Sequence, residues 1–447
     1  MKELLLLDQA GKSFTVREKI LYFLMAGWFI TLFLPDMPVL NNIVTGAVLL
    51  HSFFYNTLAE KWQYLRQRRE IGFMLLFYVL HIVSTFFSLN KQEGVRMLVL
   101  RLPLLIFPLS LGLLFIRQEV KDRALLMFGL VTALMALACL ANAYTRYRGS
   151  HDASNFYDDN LTLAIRRQSI YIALLVNLAL FSLAYLLQRT SFTLEYPRVA
   201  WAGILFLLVF HFMLASRISI IILYSSLLIY AAWDIVSKRK YRQGAILLLG
   251  LLVCVMLLIN VFPKTLNRFK ELQYTGYSYT GHGIESHYNM TVTADQWNGA
   301  NIRLAVWRCG WDLAKRHWLA GVQLGDKQDR LMDVYRARRF DFALLTVRNM
   351  HNTYLDVLSC FGIIGLLLFL GGWLIFPVWN CHRAGDGLGL VMALAFAVSM
   401  VTESYFDRSI GCLLAGFFFC FISASHGEYR SSVKAARGRY TRHPAAS

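Results

Sequence analysis

The twenty residues from 168 to 187, QSIYIALLVNLALFSLAYLL, contain no charged side chain. A hydrocarbon core about 30 Å thick takes about 20 residues of helix, since each residue rises about 1.5 Å and every backbone polar group must be bonded internally. Comparable runs recur near 20–35, 38–56, 72–89, 97–116, 124–143, 199–215, 218–236, 245–262, 362–379, 388–402 and 409–425. The pattern predicts an all-α polytopic membrane protein with about twelve transmembrane helices. Two of its breaks are short. Pro35-Asp36-Met37-Pro38 reads as a turn because a proline disfavours helix at the residue before it. The break at Ser216-Arg217 follows from length, since 199–236 is too long for one span.

Composition agrees. The chain is 57% hydrophobic and 16% charged, where soluble domains have about 25% charged residues. A net charge of +18 invites a nucleic-acid partner. The basic residues, however, fall mostly in short connections between apolar runs, where topology accounts for them, and no nucleic acid is expected. The seven cysteines bring no disulfide framework. Cys139, Cys254, Cys412 and Cys420 lie in apolar runs, Cys381 follows one, Cys360 lies just before another, and only Cys309 is in a long polar stretch. No secretory signal with a small-residue cleavage site precedes the first run, and the chain through Lys19 reads as a basic flank.

Orientation follows from the basic bias of cytoplasmic loops. Lys61, Arg66, Arg68 and Arg69 lie between runs two and three, and Lys238, Arg239, Lys240 and Arg242 between eight and nine. Arg430, Lys434, Arg437, Arg439 and Arg442 lie in the tail. All share the side of the N-terminus, so both ends are expected in the cytoplasm. The expected organisation is 1–262 with nine spans, 263–361 as a long helical loop, 362–425 with three more spans, and 426–447 as a basic cytoplasmic tail. The long loop then faces outward, together with 144–167, the Ser216-Arg217 turn and 403–408. In a bacterial inner membrane that side is the periplasm, where neither ATP nor nucleotide sugar is present.

Long loops escape the basic bias, so the arginines of 263–351 need another explanation. A cationic outer surface would attract membrane lipid head groups or phosphate esters; an ordinary solvated loop is the plainer reading. Within it, 301–319 (NIRLAVWRCGWDLAKRHWL) has a helical period, with Leu304, Trp307, Trp311, Ala314 and Trp318 on one stripe suited to the membrane–water boundary. Arg303 lies in that helix's first turn, where its planar fork suits two phosphate oxygens; a snorkelling arginine fits equally well. Arg217 sits between two apolar runs with no carboxylate near it in sequence, the nearest being Asp234 at the far end of its own run. An incoming anion would satisfy its charge, as would snorkelling.

His351 stands where the polar stretch meets the next apolar run. If 351–361 is helical, it lies beside Tyr354, Leu355 and Leu358 on an interfacial helix, placed to act as a general base. A structural role is commoner for a lone histidine, and His81, His211, His282, His287 and His317 compete with it. Metal is not expected. His282, Glu285 and His287 in HGIESH lack the i, i+4 helical spacing of zinc helices, and Asp158-Asp159 has no third ligand in view.

His351 and Asn352, nine further residues, Gly362 and then Gly365 resemble the signature of the O-antigen ligase and Wzy-type polymerase superfamily. Arg217 at a tight outward turn is similar to that family's pattern. So is Arg303 opening a helix ahead of Trp307-Arg308 and Leu319-Ala320-Gly321. The resemblance extends over most of the chain through its run layout, and favours the ligase. It implies a metal-independent, GT-C-like glycosyltransferase without cofactor. The donor would be O-antigen on undecaprenyl diphosphate and the acceptor a hydroxyl of the lipid A-core oligosaccharide. It also implies His351 as general base, Arg217 and Arg303 as diphosphate clamp, and inversion at the anomeric centre. Glu403 would orient His351 or touch the acceptor, although an ion pair with Arg408 is the simpler expectation. Arg101, Arg166, Arg167, Arg308 and Arg348 are secondary phosphate-contact candidates. A Wzy-like polymerase and a protein O-oligosaccharyltransferase share the signature. A lipid-linked glycan transporter is the rival of another class, against which no inverted repeat of interrupted runs is visible.

Overall fold

The structure, a computed structural model, describes residues 14–189, 197–236, 239, 241–261, 263–280, 285, 293 and 296–426. Lys238, Lys240, His282, His287 and the basic tail lie outside the described residues, as do the side chains of Cys254 and Asp234. Among the described residues there is no strand, only an isolated bridge between Glu285 and Trp297.

Every apolar run falls on helix, and both short breaks are real. The first helix is Val16–Leu32 and the second starts at Pro38, with Asp36 turning the chain at φ 54°. Pro197–Met213 ends before Ala215 (φ 51°), and Arg217 opens the next helix. By length and composition four helices can cross a membrane: Arg69–Phe87, Gln118–Ser150, Ser169–Gln188 and Thr353–Ala384. The pair Lys91–Leu100 and Pro103–Leu113, bent by 43°, makes a fifth if the two helices are counted as one span. By this measure the helices support four or five of the about twelve crossings expected. Pro197–Met213, Arg217–Trp233, Tyr241–Val253, Gly387–Thr402 and Ser409–Ser423 are shorter apolar helices.

Two separate cores organise the chain. The larger runs through the apolar helices, where Trp28 stacks on Phe417 at 4.0 Å and meets Phe107 edge-on at 5.6 Å. Aromatic pairs of this kind add roughly 0.5–1.5 kcal/mol beyond their buried area. The smaller core belongs to the segment expected as a loop. Ile302, Ala305, Val306, Cys309 and Leu313 pack there with Trp297, Tyr335 and Phe340, across the helices Asn301–Arg316 and Lys327–Ala337. Of the stripe read from the sequence, Ala314 belongs to this core and Trp307 packs against it. Leu304, Trp311 and Trp318 point outward and are exposed. The helix thus has two apolar faces, one packed in its own core and one exposed.

A reciprocal glycine junction fixes this second core against the helix Thr353–Leu370. Gly321 (φ 69°) and Gly362 (φ 66°) bring their backbones together, with Val322 N–H donating to Ser359 O at 2.9 Å and Ile363 N–H to Trp318 O at 2.8 Å. A Cβ on Gly362 would lie 2.1 Å from Leu319 O, and one on Gly321 would lie 2.2 Å from Cys360 O. Glycine is required on both sides of the crossing. Gly362→Ala is expected to lower the stability of the purified protein by about 1–3 kcal/mol from backbone strain alone, with the clash in addition. An unchanged melting temperature in detergent would refute this.

Beneath the junction is a buried charge quartet. Lys327 Nζ donates to Asp356 Oδ1 and Asp407 Oδ1, both at 2.6 Å. Arg101, at the bend of the Lys91–Leu113 pair, donates to Asp407 Oδ1 at 3.1 Å and Phe406 O at 2.9 Å, and lies 3.6 Å from Asp356. Its Nη1 also faces His81 Nε2 at 3.0 Å, while His81 Nδ1 meets Phe77 O at 2.7 Å. A carbonyl can only accept, so His81 is the Nδ1–H tautomer and accepts from Arg101. Arg101 is thus a structural ion in a closed network rather than a phosphate contact at the membrane rim. Sequence placed it at the rim because its partners come from three distant segments.

Candidate active site

The helix Thr353–Leu370 starts under a side-chain cap: Asn352 Oδ1 accepts from Leu355 N–H at 2.9 Å. His351 therefore does not lie on the helix, as the sequence suggested. It precedes the cap with φ 45°, and its own N–H donates to Asn349 Oδ1 at 3.2 Å. The asparagine of the His-Asn pair ends the loop, and the left-handed turn before it sets the direction of the imidazole. Trp307 Nε1–H donates to His351 O at 3.3 Å, giving that tryptophan a polar role its place in the stripe did not suggest.

The connection after Gly387–Thr402 is stitched to the same point. Thr353 Oγ1 donates to Glu403 O at 2.7 Å and accepts from Tyr405 N–H at 3.0 Å, and Asn352 N–H donates to Ser404 Oγ at 3.3 Å. This brings Glu403 Oε2 to 3.2 Å from His351 Nδ1. The expected Glu403–Arg408 pair does not form; Arg408 is exposed, whereas the Glu403 side chain is 7% exposed and faces the ring. Burial pushes the Glu403 carboxyl pKa up. The hydrogen bond and charge of His351, with Arg303 nearby, outweigh burial and hold it below its ordinary value. An ionised Glu403 can only accept, so Nδ1 carries a proton, and in the neutral form of the ring Nε2 holds the lone pair. Among the described residues Nε2 has no hydrogen-bond partner.

Arg217 and Arg303 converge on Gly299. A Cβ there would sit 2.6 Å from Arg217 Nη2 and 3.3 Å from Arg303 Nη1, so the bare glycine is what lets the two guanidiniums approach. Arg303 donates through Nη1 to Gly299 O (2.6 Å) and through Nε to Thr402 O (3.1 Å), keeping Nη2 in reserve. Burial lowers the Arg303 pKa, and the Glu403 charge opposes that shift. Among the described residues Arg217 is engaged only through Nη1, which donates to Arg268 O at 2.8 Å and lies 3.1 Å from Glu271 Oε2. The carboxylate that Arg217 lacks nearby in sequence is supplied by Glu271. That partner lies far along the chain in the folded second region, where sequence proximity does not reach.

A cavity of about 550 Å³ collects these groups. His351, Glu403, Arg217, Arg303 and Arg348 line it, together with Arg268, Asp158 and Trp307. Arg348 pairs with Glu285, and Arg268 with Asp158. Four secondary candidates are absent from the lining. Arg308 is exposed and off the cavity wall, Arg166 turns away in a left-handed conformation to Asp36, and Arg167 and Arg101 sit elsewhere. Among the described residues His351 is the one histidine on the cavity wall. Arg268 and Glu271 were missed in the sequence, where their only signal is an i, i+3 ion-pair spacing just past an apolar run.

Residues 202–370 match the family model of the O-antigen ligase. Over that segment the chain is similar to the O-antigen ligase family. The matched segment contains Arg217, Arg303, His351, Gly362 and Gly365, and it stops short of Glu403. No curated protein matches the chain. The similarity points to glycosyl transfer at a membrane, with lipid-linked polysaccharide as the general class of substrate. The glycine junction and His351 lie inside the matched segment, and Glu403 lies beyond it.

Proposed function

We propose that this protein is an O-antigen ligase, moving O-antigen polysaccharide from undecaprenyl diphosphate to a hydroxyl of the lipid A-core oligosaccharide. The reaction takes place at the periplasmic face of the bacterial inner membrane. The observation that carries this reading is the convergence on one cavity of a histidine with a free Nε2 and two arginines with unengaged nitrogens. A glycosyl diphosphate brings its own activation, so the protein has to orient two substrates and stabilise charge on the leaving group. The acceptor hydroxyl gives its proton to His351 Nε2, and its oxygen forms the new bond to the anomeric carbon. The bond from that carbon to the diphosphate oxygen breaks, and its electron pair stays with undecaprenyl diphosphate. Arg217 and Arg303 receive the growing negative charge, where other transferases use a divalent ion. Attack opposite the leaving group inverts the anomeric carbon.

The test is lipopolysaccharide laddering in a ligase-deficient bacterium expressing this protein or its His351→Ala variant at matched levels. The parent is expected to restore long-chain lipopolysaccharide and the variant to lose it. Restoration by the variant would remove His351 from the chemistry. Failure of the parent with donor lipid present would favour a polymerase or a protein glycosyltransferase.

A further inference from the structure

The diphosphate clamp has a built-in negative charge behind it. The Glu271 side chain is 1% exposed and does not line the cavity. Its Oε2 lies 3.1 Å from Arg217 Nη1 and accepts from Gly299 N–H at 3.2 Å, and its Oε1 lies 3.4 Å from Arg268 Nη1. Arg268 in turn holds Asp158. Because Glu271 is buried off the cavity, an incoming anion does not displace it, and its field is little screened by salt. We infer that Glu271 is a permanent counter-charge to the arginine clamp, weakening its hold on the leaving prenyl diphosphate so that product is released.

This inference rests on the diphosphate reading above. In the donor both phosphates are esterified, so the diphosphate carries two negative charges. Transfer frees the terminal phosphate, which gains a further ionisable oxygen with a pKa of about 6. The product is therefore more anionic than the donor. A pair of uncompensated arginines would bind it more tightly than the donor and stall turnover. A carboxylate 3.1 Å from Arg217 subtracts from that attraction in a region of low dielectric. The rival role is simple scaffolding, with Glu271 holding Arg217 in its rotamer. Glutamine separates the two, since it keeps the shape and an accepting oxygen but not the charge.

The experiment titrates the full chain in detergent with undecaprenyl diphosphate, comparing wild type with Glu271→Gln. The variant is expected to bind about tenfold more tightly. Its multiple-turnover rate should fall more than its single-turnover rate, because release becomes limiting. Equal or weaker binding by the variant, with wild type binding normally, overturns this inference and leaves the ligase reading intact. No binding by wild type overturns both. If Glu271→Gln does not fold, Asp158→Asn is used. It removes the other carboxylate on Arg268 and is expected to tighten binding in the same direction by a smaller factor; weakened or unchanged binding there likewise overturns the inference.

Discussion

Glu403→Gln is expected to reduce glycosyl transfer by roughly 10²–10⁴-fold while the protein folds and binds donor normally. The reason is the tautomer. Glu403 Oε2, 3.2 Å from His351 Nδ1, can only accept when ionised, and so keeps the proton on Nδ1 and the lone pair on Nε2. Glutamine can offer its own N–H to Nδ1, which moves the ring proton to Nε2 and removes the base. Glu403→Asp keeps the charge at a shorter reach and is expected to retain more activity than the glutamine variant. Transfer assays on purified protein with matched donor binding would decide it, and equal rates for Glu403→Gln and wild type would sink the assignment. The pH dependence has a defined sign. The Glu403 pKa is depressed in the fold. The stability it contributes is therefore present above its ordinary value near 4.5 and is lost as pH falls through the lower folded value.

Lys327→Met is expected to destabilise the protein by about 3–5 kcal/mol, because it leaves two buried carboxylates facing Arg101 alone. Lys327 and Asp356 side chains are 4% and 1% exposed, so water cannot replace the missing ammonium. Asp356 lies on the helix that follows His351, and Asp407 lies in the turn that follows Glu403. Loosening the quartet should therefore also separate the base from its carboxylate. The double variant Lys327→Met/Asp356→Asn removes one charge of each sign and keeps the 3.1 Å Arg101–Asp407 pair. It is expected to be more stable than Lys327→Met alone. Thermal unfolding in detergent of the two single variants and the double closes the cycle. A double variant that loses as much as the sum of the singles would show that the quartet is not a coupled unit.

The all-helical character of the chain was legible from apolar run length, because a helix in hydrocarbon satisfies its own backbone whatever its neighbours are. The turns at Asp36 and Ser216-Arg217 were legible for the same local reason, as chain stiffness and span length act within a few residues. His351, Arg217 and Arg303 could be singled out by residue type and spacing, and the structure brings all three to one cavity. Other features depended on approaches between distant segments. The Arg101 network, the Glu271 partner of Arg217 and the Glu403 partner of His351 each join residues more than fifty positions apart. Charge pairing acts over a few ångströms in space and leaves no periodic trace in the chain. The second core was hidden for a related reason: its helix carries two apolar faces, and the tryptophan stripe dominated the pattern while Ile302, Ala305, Val306 and Cys309 formed the packed one. The sequence by itself determined that the chain is helical and apolar and which residues could do chemistry. The tertiary structure decided which of them meet, because meeting depends on long-range packing at Gly321, Gly362 and Gly299, where the absence of a side chain lets separate backbones and guanidiniums close together.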